Sequence, residues 1–219
     1  MRMKLTTRFT LLVMLALTCG GANADQFDIS LDTSSLTGTQ ILGFELTDDG
    51  DGTGNNTAIL SNFAFGGGSA LAGTEDCTLG GLLGGTGCSG NLSSGVTLTD
   101  TLDAFFTQQV TVGSSLSFTL ATTNNFTGFG SPDQFAMFVC DTGLNCYSND
   151  TATEAMLTLD LTGTPLTPTS PPFVLNAASA QKLPAPQVMP ASSVPEPSSP
   201  LLLGTGLAAA AARMRRKRR

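Results

Sequence analysis

Three oxygen-bearing side chains, Asp49, Asp51 and Thr53, alternate with glycines in the segment 48–56, DDGDGTGNN. Carboxylate and hydroxyl oxygens at alternate positions, with glycines that allow a sharp turn, are typical of the first half of a calcium-binding loop. The bidentate glutamate that should close such a loop is missing, because Leu60 stands in its place. Asp, Gly and Asn are also the usual residues of hairpin turns, so a turn without metal is the competing interpretation. Calcium is the one cofactor that the sequence offers.

Histidine is absent from the chain, and Lys and Arg are absent from residues 25–163. These absences exclude histidine-based triads, histidine-ligated zinc or iron, Schiff-base lysines and cationic oxyanion clamps within that range. An enzyme would have carboxylate pairs left, such as Asp100 with Asp103 or Glu75 with Asp76, and the two-carboxylate glycosidase is the matching class. Local spacing gives no distance across a cleft, and because His, Trp and the Lys of this range are missing, we expect a protein that is not an enzyme.

The same range carries sixteen of the seventeen carboxylate side chains, although the net charge of the whole chain is only −7. Nucleic acid is excluded as a partner, because binding its phosphates needs cations that release counterions. Neutral glycans and cationic partners stay open, whereas an anionic extracellular polysaccharide could approach only through bound divalent metal. Sugar rings usually stack on exposed Trp or Tyr. Trp is absent, and Phe126, Phe129 and Tyr147 are the candidate aromatic residues on loops.

Four cysteines follow the first 24 residues, namely Cys77, Cys88, Cys140 and Cys146. An even number in an exported chain predicts two disulfides, for which three connectivities exist. We favour Cys77 with Cys88 and Cys140 with Cys146, because each pair closes a short loop that contains glycine. Metal binding by reduced thiolates is the alternative, and it needs tighter spacing.

Apolar residues between 25 and 163 recur with a period of two, and Gly, Asn and Asp separate the runs. This pattern predicts an all-β fold, an antiparallel β-sandwich of about eight short strands, with the jelly roll as one form of it. The expected strands are 27–31, 40–46, 57–65, 95–98, 105–112, 116–120, 134–140 and 157–161. The core is expected to contain Phe27, Phe44, Phe63, Phe65, Phe105, Phe118, Phe135 and Phe138.

The first 24 residues have the three parts of a secretory signal peptide. Basic residues open the chain, an apolar run spans 9–17, and Ala22-Asn23-Ala24 forms a cleavage site of the A-x-A type. We therefore expect a signal helix, recognition by the export machinery and a mature chain that begins at Asp25. Lipidation of Cys19 is the alternative, and Thr18 stands where lipoprotein signals need Gly or Ala.

The C-terminal end also has three parts, a Pro-Glu-Pro motif, an apolar run over 201–212 and an Arg/Lys cluster over 213–219. The motif consists of Val194, Pro195, Glu196 and Pro197. An apolar run that ends in a basic cluster stops in the membrane with its cations on the cytoplasmic side. We expect a short transmembrane helix here. It would span only about 18 Å against a hydrocarbon core of roughly 30 Å, which suits a temporary anchor.

This order of parts resembles the PEP-CTERM sorting signal. The resemblance implies processing by an exosortase, a membrane transpeptidase-like enzyme of Gram-negative bacteria that make extracellular polysaccharide. It implies export, a transient stay in the inner membrane and a final place at the cell surface or in a biofilm matrix. The domain between the two ends resembles a PEP-CTERM family of unknown function through the stretches 27–36, 52–58 and 132–136. That second resemblance supplies no activity.

The sequence thus predicts four segments: a signal peptide 1–24, a β-sandwich domain 25–164, a Pro-rich linker 165–193 and a sorting signal 194–219. Ten of the eleven prolines lie between 165 and 200, which predicts an extended, semi-rigid stalk. The expected function is that of a non-enzymatic exported surface or matrix protein. A carbohydrate- or calcium-binding adhesion module is the alternative.

Overall fold

The structure, a computed structural model, describes residues 24–48, 54–78, 87–101, 103–126, 128, 130–148, 154–164, 173–175 and 183–191. These residues form strands and turns without a helix, which confirms the all-β class. In this part of the chain, accordingly, no helix is long and apolar enough to cross a membrane. The expected signal and transmembrane helices lie outside the described residues.

Each of the eight strands that the alternation predicts is present, and four shorter strands accompany them. Where apolar and β-branched residues alternate with polar ones, an extended chain can bury one face and expose the other. The strands are β1 (Ala24–Asp32), β2 (Thr39–Thr47), β3 (Thr57–Ala64), β4 (Ser69–Ala70), β5 (Cys88–Asn91), β6 (Gly95–Thr99), β7 (Ala104–Thr111), β8 (Ser115–Thr123), β9 (Asp133–Asp141), β10 (Leu157–Leu161), β11 (Phe173–Leu175) and β12 (Gln187–Pro190).

The strands form two six-stranded sheets in which every pair is antiparallel. Sheet A has the order β12-β1-β8-β3-β6-β5, and sheet B has the order β11-β10-β9-β2-β7-β4. The sheets share one buried core, where Phe44 of β2 meets Phe118 of β8 with ring centroids 5.3 Å apart at 72°. Two such sheets around one core are consistent with a β-sandwich. Its jelly-roll form stays a prediction.

The expected core is correct except at two phenylalanines. Phe27, Phe44, Phe118 and Phe135 are buried, and Phe63 and Phe65 pack partly buried against the core. Phe105 and Phe138 instead lie on the opposite face of sheet B, while the neighbouring Phe106 is fully buried. The period of two allows only one of two consecutive phenylalanines to face inward, and composition alone does not decide which one.

Phe105 and Phe138 pack against each other on that outer face, with ring centroids 5.8 Å apart. They lie on either side of β2 at Gly43, whose backbone pairs with Phe138 and with Thr107. A Cβ atom at Gly43 would lie 3.5 Å from the Phe138 Cβ and 3.6 Å from the Phe105 Cζ. The two rings therefore cover a strand glycine that has no side chain of its own to pack.

Two parts of the expected linker 165–193 pair with the sheets, and here the structure differs from the expectation of a stalk. Strand β11 extends sheet B beside β10, and β12 extends sheet A beside β1. Leu183 is 2% exposed and belongs to the core. Extended, proline-containing chain has no hydrogen-bonded partner within itself, so the open edge of a sheet offers it one. Residues 183–191 are therefore part of the packed domain.

Both disulfides have the pairing that the spacing favours. Cys77 is bonded to Cys88 across eleven positions of sequence, and Cys140 is bonded to Cys146 across six. The first joins the segment after β4 to the start of β5, and the second closes the turn that follows β9.

Candidate functional site

Polar side chains at inward-facing positions lie together at one end of the sandwich. Strands β3 and β9 begin at this end, and β6 and β8 finish there. Asn56, Asp100 and Asp133 are 1%, 0% and 1% exposed, so amide and carboxyl groups occupy the interior at this end. Because buried polar groups are costly without partners, their hydrogen bonds decide what the site can do.

Asn56 is the centre of this cluster. Its side-chain Nδ2 donates to Asp133 Oδ2 and to the Asn125 carbonyl, each at 2.7 Å. Its Oδ1 accepts the Asn125 N–H at 2.8 Å and the Thr123 hydroxyl at 3.2 Å. Its main-chain N–H donates to Asp100 Oδ2 at 2.8 Å. Asn56 thus uses both amide donors and both acceptor positions, which fixes the two carboxyl groups around it.

The carboxyl groups of Asp100 and Asp133 are neighbours, because the Oδ2 atom of each accepts a hydrogen bond from Asn56. Burial and the neighbouring Asp133 raise the pKa of Asp100 to about 7, against the opposing effect of the N–H groups of Asn56 and Asn55. Near neutral pH Asp100 therefore holds a proton for part of the time. Among the described residues, neither Asp100 Oδ1 nor Asp133 Oδ1 has a hydrogen-bond partner. These two atoms are the open positions of the site.

Asn124 closes the neighbouring edge of the same end. Its Nδ2 donates to Asp25 Oδ2 at 3.0 Å and also to the Thr164 carbonyl. Its Oδ1 accepts the Gly163 N–H at 2.8 Å. The side chain joins the end of β8 in sheet A to the residues that follow β10 in sheet B. Both sheets are therefore tied together beside the carboxyl pair.

The expected calcium ligands Asp49, Asp51 and Thr53 lie outside the described residues. By sequence they stand between the end of β2 and Asn56, so the same connection leads into the buried cluster. The described ranges contain no group of three Asp, Glu, Cys or His side chains arranged to hold a metal. The described part of the cluster thus offers two carboxyl groups, and calcium at the loop stays a prediction.

The aromatic residues considered for sugar stacking do not form a platform. The Tyr147 hydroxyl donates to Gln40 Oε1 at 2.8 Å, and the ring packs against the core. Phe126 lies at the opposite end, beside Gly163. Phe129 is outside the described residues. Tyr147 and Phe126 are therefore too far apart to contact one ligand.

In each carboxylate pair considered for an enzyme, the two carboxyl groups lie in different surroundings. Asp100 is buried whereas Asp103 is exposed. Glu75 accepts the Gln108 amide at 3.1 Å, while the Asp76 carboxylate caps Thr78. In these described pairs each carboxyl group has a different neighbourhood, so neither pair presents two facing carboxylates.

The contact between Asp100 and Asp133 was missed at the level of sequence, although a signal for it exists. Val96, Leu98 and Asp100 share one phase of the alternation, and Asp133 shares the phase of Phe135 and Met137. Asn56 likewise continues the buried phase of Ala58 and Leu60. A polar residue that continues an inward phase at the end of a strand must be buried, and buried polar residues seek one another.

Comparison with known proteins identifies one segment. Residues 193–217 match the PEP-CTERM protein-sorting motif. No curated protein and no solved structure has detectable similarity to the chain.

Proposed function

We propose that this chain, which carries a PEP-CTERM protein-sorting motif over residues 193–217, is a non-enzymatic exported protein that an exosortase processes. In this proposal the tail holds the protein in the inner membrane for a time, and cleavage releases it to the cell surface or the extracellular matrix of a Gram-negative bacterium. The motif is the observation that carries the proposal, because it is a sorting address with a physical role in the membrane.

Properties of the domain support a place outside the cytoplasm. Two disulfides are typical of oxidising compartments. Sixteen carboxylates without a Lys or Arg over residues 25–163 keep the domain soluble and repel it from anionic lipid. Once residues 1–24 and 213–219 are removed, Lys182 is the one cationic side chain left in the sequence. A released protein of this kind needs neutral or cation-bridged partners, such as extracellular polysaccharide.

Mass spectrometry of both termini tests the proposal. We expect the product from normal cells to begin at Asp25 and to lack 213–219, and the product from exosortase-deficient cells to keep the basic cluster. The variant Pro195→Ala/Glu196→Ala should also keep it, whereas the matched control Ser198→Ala/Ser199→Ala should be processed normally. A mature product that retains the arginines in normal cells would contradict the proposal.

A cleft beside β12 favours carbohydrate binding as a second function. The cleft has a volume of about 240 Å³ on the outer face of sheet A, and Asp28, Asn62 and Met189 line it. The carboxylate and the amide provide hydrogen-bonding groups for sugar hydroxyls, and Met189, 56% exposed, offers an apolar surface to a ring face. We expect Asp28→Asn to weaken binding on an array of neutral glycans and Asp32→Asn to leave it unchanged. An array without signal for the unaltered protein would reject this second function.

A further inference from the structure

Asp100 and Asp133 place two buried carboxyl groups around the same residue, Asn56, where the surrounding sequence offers no cation to balance them. Both residues are buried, and no Lys, Arg or His occurs from residue 25 to residue 163. Two carboxylates in contact inside a protein cannot both keep their charge unless a proton or a cation accompanies them. The pair therefore needs a positively charged occupant whenever both groups are ionised.

The hydrogen bonds of the cluster leave one oxygen atom of each carboxyl group open to that occupant. Asp100 Oδ2 accepts the Asn56 N–H, and Asp133 Oδ2 accepts the Asn56 amide. Among the described residues, neither Oδ1 atom accepts a hydrogen bond, although both atoms are shielded from solvent. Buried polar atoms nearly always have partners. Two open oxygen atoms on neighbouring carboxyl groups therefore indicate a ligand.

We propose that Asp100 and Asp133 bind one calcium ion through their Oδ1 atoms at the end of the sandwich where β3, β6, β8 and β9 meet. This site is independent of sorting, and it does not require Asp49, Asp51 or Thr53. Ca²⁺ prefers carboxylate and carbonyl oxygens and accepts irregular geometry, whereas Mg²⁺ demands a regular octahedron and keeps several waters. The two carboxylates supply the negative charge that balances the ion.

The bound ion would act as a structural link between the sheets. Asn56 leads into β3 of sheet A, Asp133 is the first residue of β9 in sheet B, and Asp100 lies in the connection from β6 to β7. An ion held by Asp100 and Asp133 joins these segments at a place where Asn56 already fixes both carboxyl groups. Because the ion binds the folded chain and not the unfolded one, it raises the melting temperature.

Calcium titration of the mature protein, freed of metal with chelator at pH 8, tests the site. We expect calorimetry to show one ion per chain with a Kd of about 10⁻⁴ to 10⁻³ M, the range of extracellular calcium modules. Thermal unfolding should shift upward with calcium. Asp100→Asn and Asp133→Asn should each weaken binding at least about tenfold and reduce the shift, as expected when one of two charged ligands is lost.

Two further variants make the result decisive. Asp103→Asn removes an exposed carboxylate three positions away and should bind like the unaltered protein. Asp49→Asn/Asp51→Asn separates this site from the loop predicted by sequence, and the proposal is wrong if that variant alone loses binding. If an Asp100 or Asp133 variant does not fold, the unaltered protein still decides, since absence of binding and of a thermal shift at millimolar calcium overturns the site. Both outcomes are independent of tail processing, which the masses of the termini report separately.

Discussion

The Asn56 side-chain nitrogen donates to Asp133 Oδ2 at 2.7 Å, and this bond joins the residue before β3 of sheet A to the first residue of β9 of sheet B, 77 positions away. The same Asn56 also holds Asp100 through its main-chain N–H. A single amide residue thereby determines the distance between the two buried carboxyl groups. The behaviour of the whole end of the sandwich should consequently depend on Asn56.

Replacing Asn56 with Ala should lower the free energy of unfolding by about 3 kcal/mol, because several buried polar groups lose their partners together. Urea denaturation of the mature protein measures the loss. Asn62→Gly serves as the control, since Asn62 is exposed and has a φ of 57°, which glycine adopts without strain. A loss below about 1 kcal/mol in Asn56→Ala would mean that water replaces the missing bonds.

The calcium-free protein should be more stable near pH 5 than near pH 8. The pKa of Asp100 is about 7 in the folded protein, whereas its ordinary value is 3.8. Between these values the folded chain binds more protons than the unfolded one, so the stability that this group contributes is present in full at low pH and is lost as the pH rises towards 7. Thermal unfolding over this range measures the effect.

Asp100→Asn provides the matched comparison for this pH dependence, because the amide cannot titrate. General repulsion among the other carboxylates also grows with pH, and that part should remain in the variant. The difference between the two slopes isolates Asp100. Equal slopes in both proteins would contradict the raised pKa.

Removing the disulfide that closes the longer loop should lower the free energy of unfolding more than removing the other one. Chain entropy predicts a loss of about 3 kcal/mol for Cys77→Ser/Cys88→Ser and about 2 kcal/mol for Cys140→Ser/Cys146→Ser, since the second loop is shorter. Urea denaturation of the two double variants compares them directly. A larger loss for the shorter loop would show that native-state contacts outweigh loop closure.

Consecutive phenylalanines in β7 should respond differently to truncation. Phe106 is fully buried, so Phe106→Ala should cost about 3 to 5 kcal/mol through lost burial and the cavity left behind. Phe105 is only partly buried and packs against Phe138 on the outer face, so Phe105→Ala should cost about 1 to 2 kcal/mol. Chemical denaturation of the two variants measures both losses in the free energy of unfolding. Equal losses would place both rings in the core.

Leu183 tests whether the residues before the sorting motif belong to the domain. Since Leu183 is buried in the core, Leu183→Ala should destabilise the protein by about 2 to 4 kcal/mol. Pro184→Ala, an exposed neighbour, should change stability by less than about 0.5 kcal/mol. Stability unaffected by Leu183→Ala would restore the interpretation of this segment as a free stalk.

The strands of this protein were predictable because its alternation is strong and local. Leu116, Phe118 and Leu120, for example, need only the period of two to be assigned to one face. The disulfides were predictable because sequence-near cysteines reach each other in most folds. Phe105 was assigned to the wrong face, since two adjacent aromatic residues satisfy either register and only the partner strands decide.

The proximity of Asp100 and Asp133 could not be predicted from the residues near either of them in sequence. Asp100 and Asp133 are separated by two whole strands, β7 and β8, and they come together only because β6 finishes and β9 begins at the same end of the sandwich. The packing of Leu183 in the core and the pairing of β12 with β1 could not be predicted for a related reason. Proline-rich composition indicates extended chain, yet it does not indicate whether a sheet edge is free to receive that chain.

The pairing of β12 with β1 determines from which end of the domain the chain continues towards the sorting motif. Ala191 donates to the Gln26 carbonyl at 2.9 Å, so the chain leaves the domain beside the place where β1 begins. Ten further residues lead from Ala191 to Leu201, where the apolar run begins, and a fully extended chain of that length reaches about 35 Å. We therefore expect a tail inserted in the membrane to tether the domain from its Asn56 end and to leave the Tyr147 end as the more distant one. Cutting the tail would remove the tether at the same end where we propose that calcium binds.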